Sequence, residues 1–196
     1  DPSATYDALQ GAAAPARAAG LQTEFGGEVI DQIYEQGSSE AIGFGLAGLI
    51  LLLAFGSALA AGLPLVVAAL GLGIGMSIVT ALAAVTSIST IAPTVAAMVG
   101  IGVGIDYSLI IVSRHRQQLL DGMAVRTSIA QANATAGRSV VFAGLTVLIA
   151  ICGLAFSGVP NFVMMGVSTA VVVAVAMVAA VTLLPALLGL AKLRVL

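Results

Sequence analysis

Charge is what this sequence has least of. Only 8% of its 196 residues are Asp, Glu, Lys or Arg, against about 25% in a soluble domain. With 60% hydrophobic residues and a mean hydropathy of +1.13, too little polar surface exists to clothe a water-soluble fold, so the class is a membrane protein. Tryptophan is absent, and an aromatic belt must use the few Tyr and Phe residues. The single cysteine, Cys152, lies in an apolar run and can form no intrachain disulfide. The single histidine, His115, stands between two arginines and reads as a solvated interfacial residue. A metal site needs three or four ligands, and no His/Cys/Glu cluster is present, so neither metal nor cofactor is expected. Paired catalytic carboxylates and G-x-S-x-G are missing, and Ser77, Ser87, Ser139 and Ser168 have no histidine in a triad-like pattern. Enzymatic chemistry is not expected. The chain opens on a polar segment without a signal-peptide pattern and without an initiator methionine, and is expected to be a piece of a longer protein.

What is there is organised around Pro93–Arg116, PTVAAMVGIGVGIDYSLIIVSRHR. The stretch is apolar or small until Asp106-Tyr107, and Arg114, His115 and Arg116 close it. It is long enough to cross a bilayer, which takes about 20 apolar residues. Asp106 precedes Arg114 by about 8 residues, or about 12 Å at the helical rise. A carboxylate at that depth costs about 2.5–3.5 kcal/mol on insertion scales, which makes an intramembrane Asp a functional-site hypothesis. The alternative is a buried structural carboxyl held for packing.

Residues 1–38 differ in composition and hold six of the nine acidic residues. Ala4–Ala19 reads as a short helix despite Pro15, ended by Gly20. Leu21–Phe25 alternates like a strand and Gly26-Gly27 stops it. A helix and one strand make no core alone, so this segment reads as the end of a water-exposed domain. Five spans are expected after it, at about 40–55, 63–85, 93–114, 138–156 and 162–190. Residues 56–62 form a tight turn, Pro64 suits a first helical turn, and residues 116–137 are polar and helical along the surface.

Lys and Arg set the topology. Arg114, Arg116, Arg126 and Arg138 fall between spans three and four, and Lys192 and Arg194 follow span five. Five spans put both groups on one side, which is then cytoplasmic, with Arg17 and the acidic segment outside.

Gly71-Leu-Gly-Ile-Gly75 and Gly100-Ile-Gly-Val-Gly104 lack the G-x-G-x-x-G spacing of a nucleotide site. Gly71 and Gly75, and Gly100 and Gly104, are small residues four apart, which lets helix backbones approach. Asp106 and Tyr107 are different. A carboxyl can load and release a proton, and the neighbouring phenol can donate or accept a hydrogen bond. Adjacent helix positions diverge by about 100°, which suits a relay across a helix interface better than a direct bond.

Gly102-Val-Gly-Ile-Asp-Tyr-Ser108, then Arg114 and Arg116, then Thr135-Ala-Gly-Arg-Ser139 and Phe142-Ala-Gly-Leu-Thr-Val147, resemble the MmpL branch of the RND (resistance–nodulation–division) transporters. The resemblance covers nearly the whole chain. It implies an all-α polytopic membrane protein: a five-helix transmembrane bundle over 39–196, half of an RND-type transmembrane domain. Residues 1–38 would be a small αβ remnant of a periplasmic porter domain. It implies that Asp106 and Tyr107 serve as half of a proton relay in an exporter of lipids or other hydrophobic small molecules, in a bacterial inner membrane. The implied partners are the bilayer, a lipid-like substrate and a second half with its own Asp-Tyr pair, absent from this sequence; nucleic acid is not among them. The same five-span unit is similar to a sterol-sensing domain, and a lipid-sensing module without transport is the alternative.

Overall fold

A computed structural model describes residues 2–26, 39–86 and 91–195. The chain divides into two compact units, Asp1–Gly43 and Phe44–Leu196, taken here one at a time.

In the first unit, helix α1 spans Pro2–Ala18 and carries Pro15 in its interior. Gly20, at φ 79°, lets the chain turn back. The Gly20 N–H then reaches the Arg17 carbonyl at 3.0 Å and the Leu21 N–H reaches that of Ala16 at 3.1 Å, a Schellman ending. Residues 21–26 form no strand, and no strand occurs among the described residues, so the expected αβ remnant is not borne out. The alternating segment has no neighbour to complete a ladder. It folds onto α1 instead. Phe25 meets the Tyr6 ring edge-on at 6.4 Å and lies under the Arg17 guanidinium at 5.6 Å, and Arg17 Nε donates to Thr23 Oγ1 at 2.6 Å.

Helix α2 spans Ser39–Phe55, α3 Ala58–Ala83, α4 Ile91–Leu120, α5 Val125–Cys152 and α6 Pro160–Ala191. Four helical stretches among the described residues are long and apolar enough to cross a membrane: 58–83, 91–120, 125–157 and 160–191. A shorter apolar helix, Ile42–Phe55, precedes them. At the helical rise its length is about 21 Å, against a hydrocarbon core of about 30 Å.

The helices run further than the apolar runs suggest. The turn between α2 and α3 needs only Gly56, at φ 64°, and Ser57, so α3 starts at Ala58 and Pro64 lies buried inside it rather than in its first turn. Neighbouring helices in a membrane bundle re-satisfy the backbone that a proline frees. Residues 116–137 are not a separate surface helix. α4 continues to Leu120, and α5 begins at Val125 and continues unbroken through Arg138. The one breaker in that region is Gly122, at φ 84°. There the Gly122 and Met123 N–H groups close a second Schellman ending onto Leu119 and Gln118, both at 3.0 Å.

α6 packs against α3, α4 and α5. The core it shares with them includes Val67, Ile111, Val112, Val140, Ala180, Leu184 and Leu188, all nearly or fully buried. Small residues set the separations. A Cβ added to Gly104 would lie 3.1 Å from Ala68 Cα on α3, and one on Gly75 would lie 3.1 Å from Val172 Cα on α6. On Gly71 it would stand 3.5 Å from Ala176 Cα, and on Gly100 it would collide with Val172 Cγ1. By contrast a Cβ on Gly102 meets nothing within 4 Å.

That contrast sets a paired expectation. Gly104→Ala should destabilise the folded bundle by about 1–3 kcal/mol through overpacking. Gly102→Ala should be neutral or stabilise by up to about 1 kcal/mol, from helix propensity. Loss of helical circular dichroism on heating in detergent distinguishes them; equal effects would break the link between these glycines and helix spacing.

Candidate functional site

α4 sends three consecutive polar side chains in different directions. Asp106 is exposed. Tyr107 is 6% exposed and Ser108 fully buried. Asp106 makes no hydrogen bond or ion pair with any described residue, and the Tyr107 and Ser108 hydroxyl oxygens are buried without a hydrogen-bond partner. The structure therefore does not bring Asp106 and Tyr107 together. It puts the carboxyl on one side of α4 and the phenol on another, inside the cluster that holds Leu63, Val67 and Leu184.

Asp106 heads a stripe. Gly102 and Ile110, one turn away on either side, are also exposed, as are Ser113, Arg114 and Gln117. The lower part of this stripe lines a groove of about 360 Å³ between α4 and α5, completed by Thr135, Ala136 and Ser139. Arg114 Nη1 donates to Gln117 Oε1 at 3.2 Å. A carboxyl exposed at this depth on an otherwise apolar helix must meet protein or water, because lipid satisfies neither charge state well.

Sequence reasoning missed a second polar cluster. His115 is not a solvated interfacial residue; it is fully buried. Its Nδ1 lies 2.7 Å from Ser128 Oγ, and Ser128 Oγ is 3.1 Å from both the His115 carbonyl and Gln118 Oε1. Ser128 Oγ is satisfied when Nδ1–H donates to it and its hydroxyl donates onward to one of the two oxygens. The His115 and Gln118 Nε2 atoms stay buried without partners. Beside them the Arg116 guanidinium stacks 5.0 Å above the Phe55 ring, which ties the end of α2 to α4. No local signal announces this burial, because Ser128 lies across the Gly122 turn. Among the described residues no group of three or more His, Cys, Asp or Glu could hold a metal ion.

Long apolar helices packed through small residues define a multi-pass membrane protein. The MMPL family model matches residues 2–194, and the chain belongs to that family. It is 44% identical over 176 residues to the membrane protein YdfJ of Bacillus subtilis (89% of this chain, 24% of that protein). It is 38% identical over 141 residues to the mycolic acid-containing lipids exporter MmpL11 of Mycolicibacterium smegmatis (72% and 15%). It is 30% identical over 156 residues to the trehalose monomycolate exporter MmpL3 of Mycobacterium tuberculosis (80% and 16%). The chain thus spans about a quarter or less of these relatives' lengths.

The polar cluster yields a stability expectation. Ser128→Ala strips His115 Nδ1 and one of the two oxygens of their partner, and should cost about 1–3 kcal/mol. Ser113→Ala should stay within about 0.5 kcal/mol, since Ser113 is exposed and only bonds back to the Ile110 carbonyl of its own helix. Thermal unfolding of the two variants side by side is the check.

Proposed function

We propose that this chain is part of a proton-driven exporter of lipids or other hydrophobic small molecules, with Asp106 and Tyr107 forming half of its proton relay. The observation that carries the reading is Asp106: a carboxyl exposed at mid-span on α4 with no hydrogen-bond partner among the described residues. Such a group needs a polar counterpart from outside the described residues, and a second transporter half with its own Asp-Tyr pair would supply one. Membership of the MMPL family and likeness to two proteins named as lipid exporters support the cargo class. On this reading residues 1–38 end a porter domain and residues 39–196 contribute five spans, including the short α2. The groove beside Arg114 and Ser139 belongs to the interface with the second half.

The test is Asp106→Asn in the intact transporter. Asn keeps the shape and a hydrogen-bonding capacity but cannot exchange a proton. Export should fall by about a hundredfold or more, the scale of a lost proton-transfer group, while the amount of inserted protein stays unchanged. Tyr107→Phe should be milder, about tenfold or less, because it removes one hydroxyl. Normal export by the Asp106→Asn protein would sink the relay. Lipid-dependent conformational change without proton flux would favour the alternative, a lipid-sensing module.

The proposed orientation puts the N-terminal segment outside and the turn between α4 and α5 in the cytoplasm, on the six-to-one split of Lys and Arg. In a Cys152→Ser background, Gln22→Cys should react with an impermeant maleimide in intact cells, and Asp121→Cys only after permeabilisation. Labelling of Asp121→Cys from outside would invert the topology.

A further inference from the structure

A second groove, of about 450 Å³, runs along the other side of α5. Thr135 and Ser139 face α4, whereas Gly137 and Leu145 lie about half a turn away around the helix and line this groove with Val181 of α6. One end is polar. Asn133, Gly137 and Arg138 form it. The other end is an apolar wall that includes Phe142 and Leu145, 75% and 48% exposed. Among the described residues no acidic residue lines it.

Arg138 supplies the charge at the polar end, and Asn133 packs beneath it. Asn133 Nδ2 donates to the Val181 carbonyl at 3.2 Å, which fixes the amide and leaves Oδ1 buried with no donor. Gly137 packs closely against that oxygen, since a Cβ there would stand 2.7 Å from Asn133 Oδ1. An occupant must bring an anion for Arg138 and apolar length for the wall. Depth narrows it further. From Arg138 to Ser157 the helix covers about 30 Å, one hydrocarbon thickness, so Arg138 stands at the level of lipid phosphates. The side of α4 that bears Asp106 needs protein cover because its carboxyl lies at mid-depth. This wall does not, because its single charge sits at the rim, where a basic residue meets an anionic headgroup.

We propose that this groove binds one anionic phospholipid, for which phosphatidylglycerol is the probe. The phosphate pairs with Arg138, and one acyl chain lies along Phe142 and Leu145. The lipid is a bound component of the bundle; the site is distinct from the Asp106 stripe and independent of whether the relay reading holds.

Native mass spectrometry of the intact transporter, titrated with phosphatidylglycerol or phosphatidylcholine of equal chain length, tests this. Wild-type protein should retain a phosphatidylglycerol adduct that phosphatidylcholine does not displace. Arg138→Gln should weaken it by about fivefold, the factor one basic side chain supplies at an anionic surface, and Arg138→Lys should largely restore it. A photo-reactive phenylalanine analogue at position 142 should cross-link phosphatidylglycerol in membranes. Equal binding of both lipids, or an adduct indifferent to Arg138→Gln, overturns the proposal. So does cross-linking from position 142 to another part of the protein rather than to lipid, which would make this face a protein interface.

Discussion

Close approach of α3, α4 and α6 is the constraint on which the rest depends. Within a bilayer, helices gain nothing by hiding apolar side chains from one another, because lipid tails are as apolar as leucine. What remains is contact, and contact is strongest where backbones nearly touch. Gly75 against Val172, Gly104 against Ala68 and Gly71 against Ala176 provide such places. On α4 itself, Gly104 against Ala68 and Gly100 against Val172 fix the rotation, which decides which of its polar groups face protein and which face outward.

The same solvent governs the polar side chains. In hydrocarbon an unsatisfied hydroxyl or amide has no water to fall back on. Ser77, Thr80, Thr146, Thr169 and Thr182 solve this locally, each hydroxyl donating to the carbonyl four residues back. His115, Ser128 and Gln118 solve it across a turn, at the end of the bundle where α4 and α5 meet. Tyr107 and Ser108 do neither. With His115 Nε2, Arg116 Nε and Gln118 Nε2 they are buried polar atoms of α4 with no hydrogen-bond partner among the described residues.

Apolar runs and turn residues made the helical architecture legible: stretches such as Leu63–Val85 and Phe162–Leu190 can only be long helices in this composition. Boundaries were harder. Arg138 marks the edge of the apolar run but not of the helix, because Gln131, Ala132, Ala134 and Ala136 before it are good helix formers and the chain breaks only further back, at Gly122. Leu21–Phe25 carries a strand pattern, yet a strand exists only with a partner, and the partner is not a local property. Asp106 stood out because a carboxyl in an apolar run is conspicuous. His115 did not, because its burial depends on Ser128, and flanking arginines suggested water instead. That Asp106 faces outward while Tyr107 faces inward follows from the 100° step between them, but which is which required the packing of the glycines.

That assignment has a mechanical consequence. Buried Ala96, Gly100, Gly104 and Ser108 run along one side of α4, while Gly102, Asp106 and Ile110 run along the other. The first side holds the helix against its own bundle at backbone distance, where even a methyl group is felt. The second side carries the ionisable group and leaves its environment to whatever lies against it. On the proposed reading, the position of the carboxyl is rigid within this half and its surroundings come from the other half. A relative movement of the two halves then changes the surroundings of Asp106 without deforming the helix that bears it. Protonation can bias such a movement, and such a movement can drive release of the proton, because the coupling between them is reciprocal. A carboxyl on the packed side of α4 could be buried and structural, but it could not exchange its environment without breaking the glycine contacts that hold the bundle together.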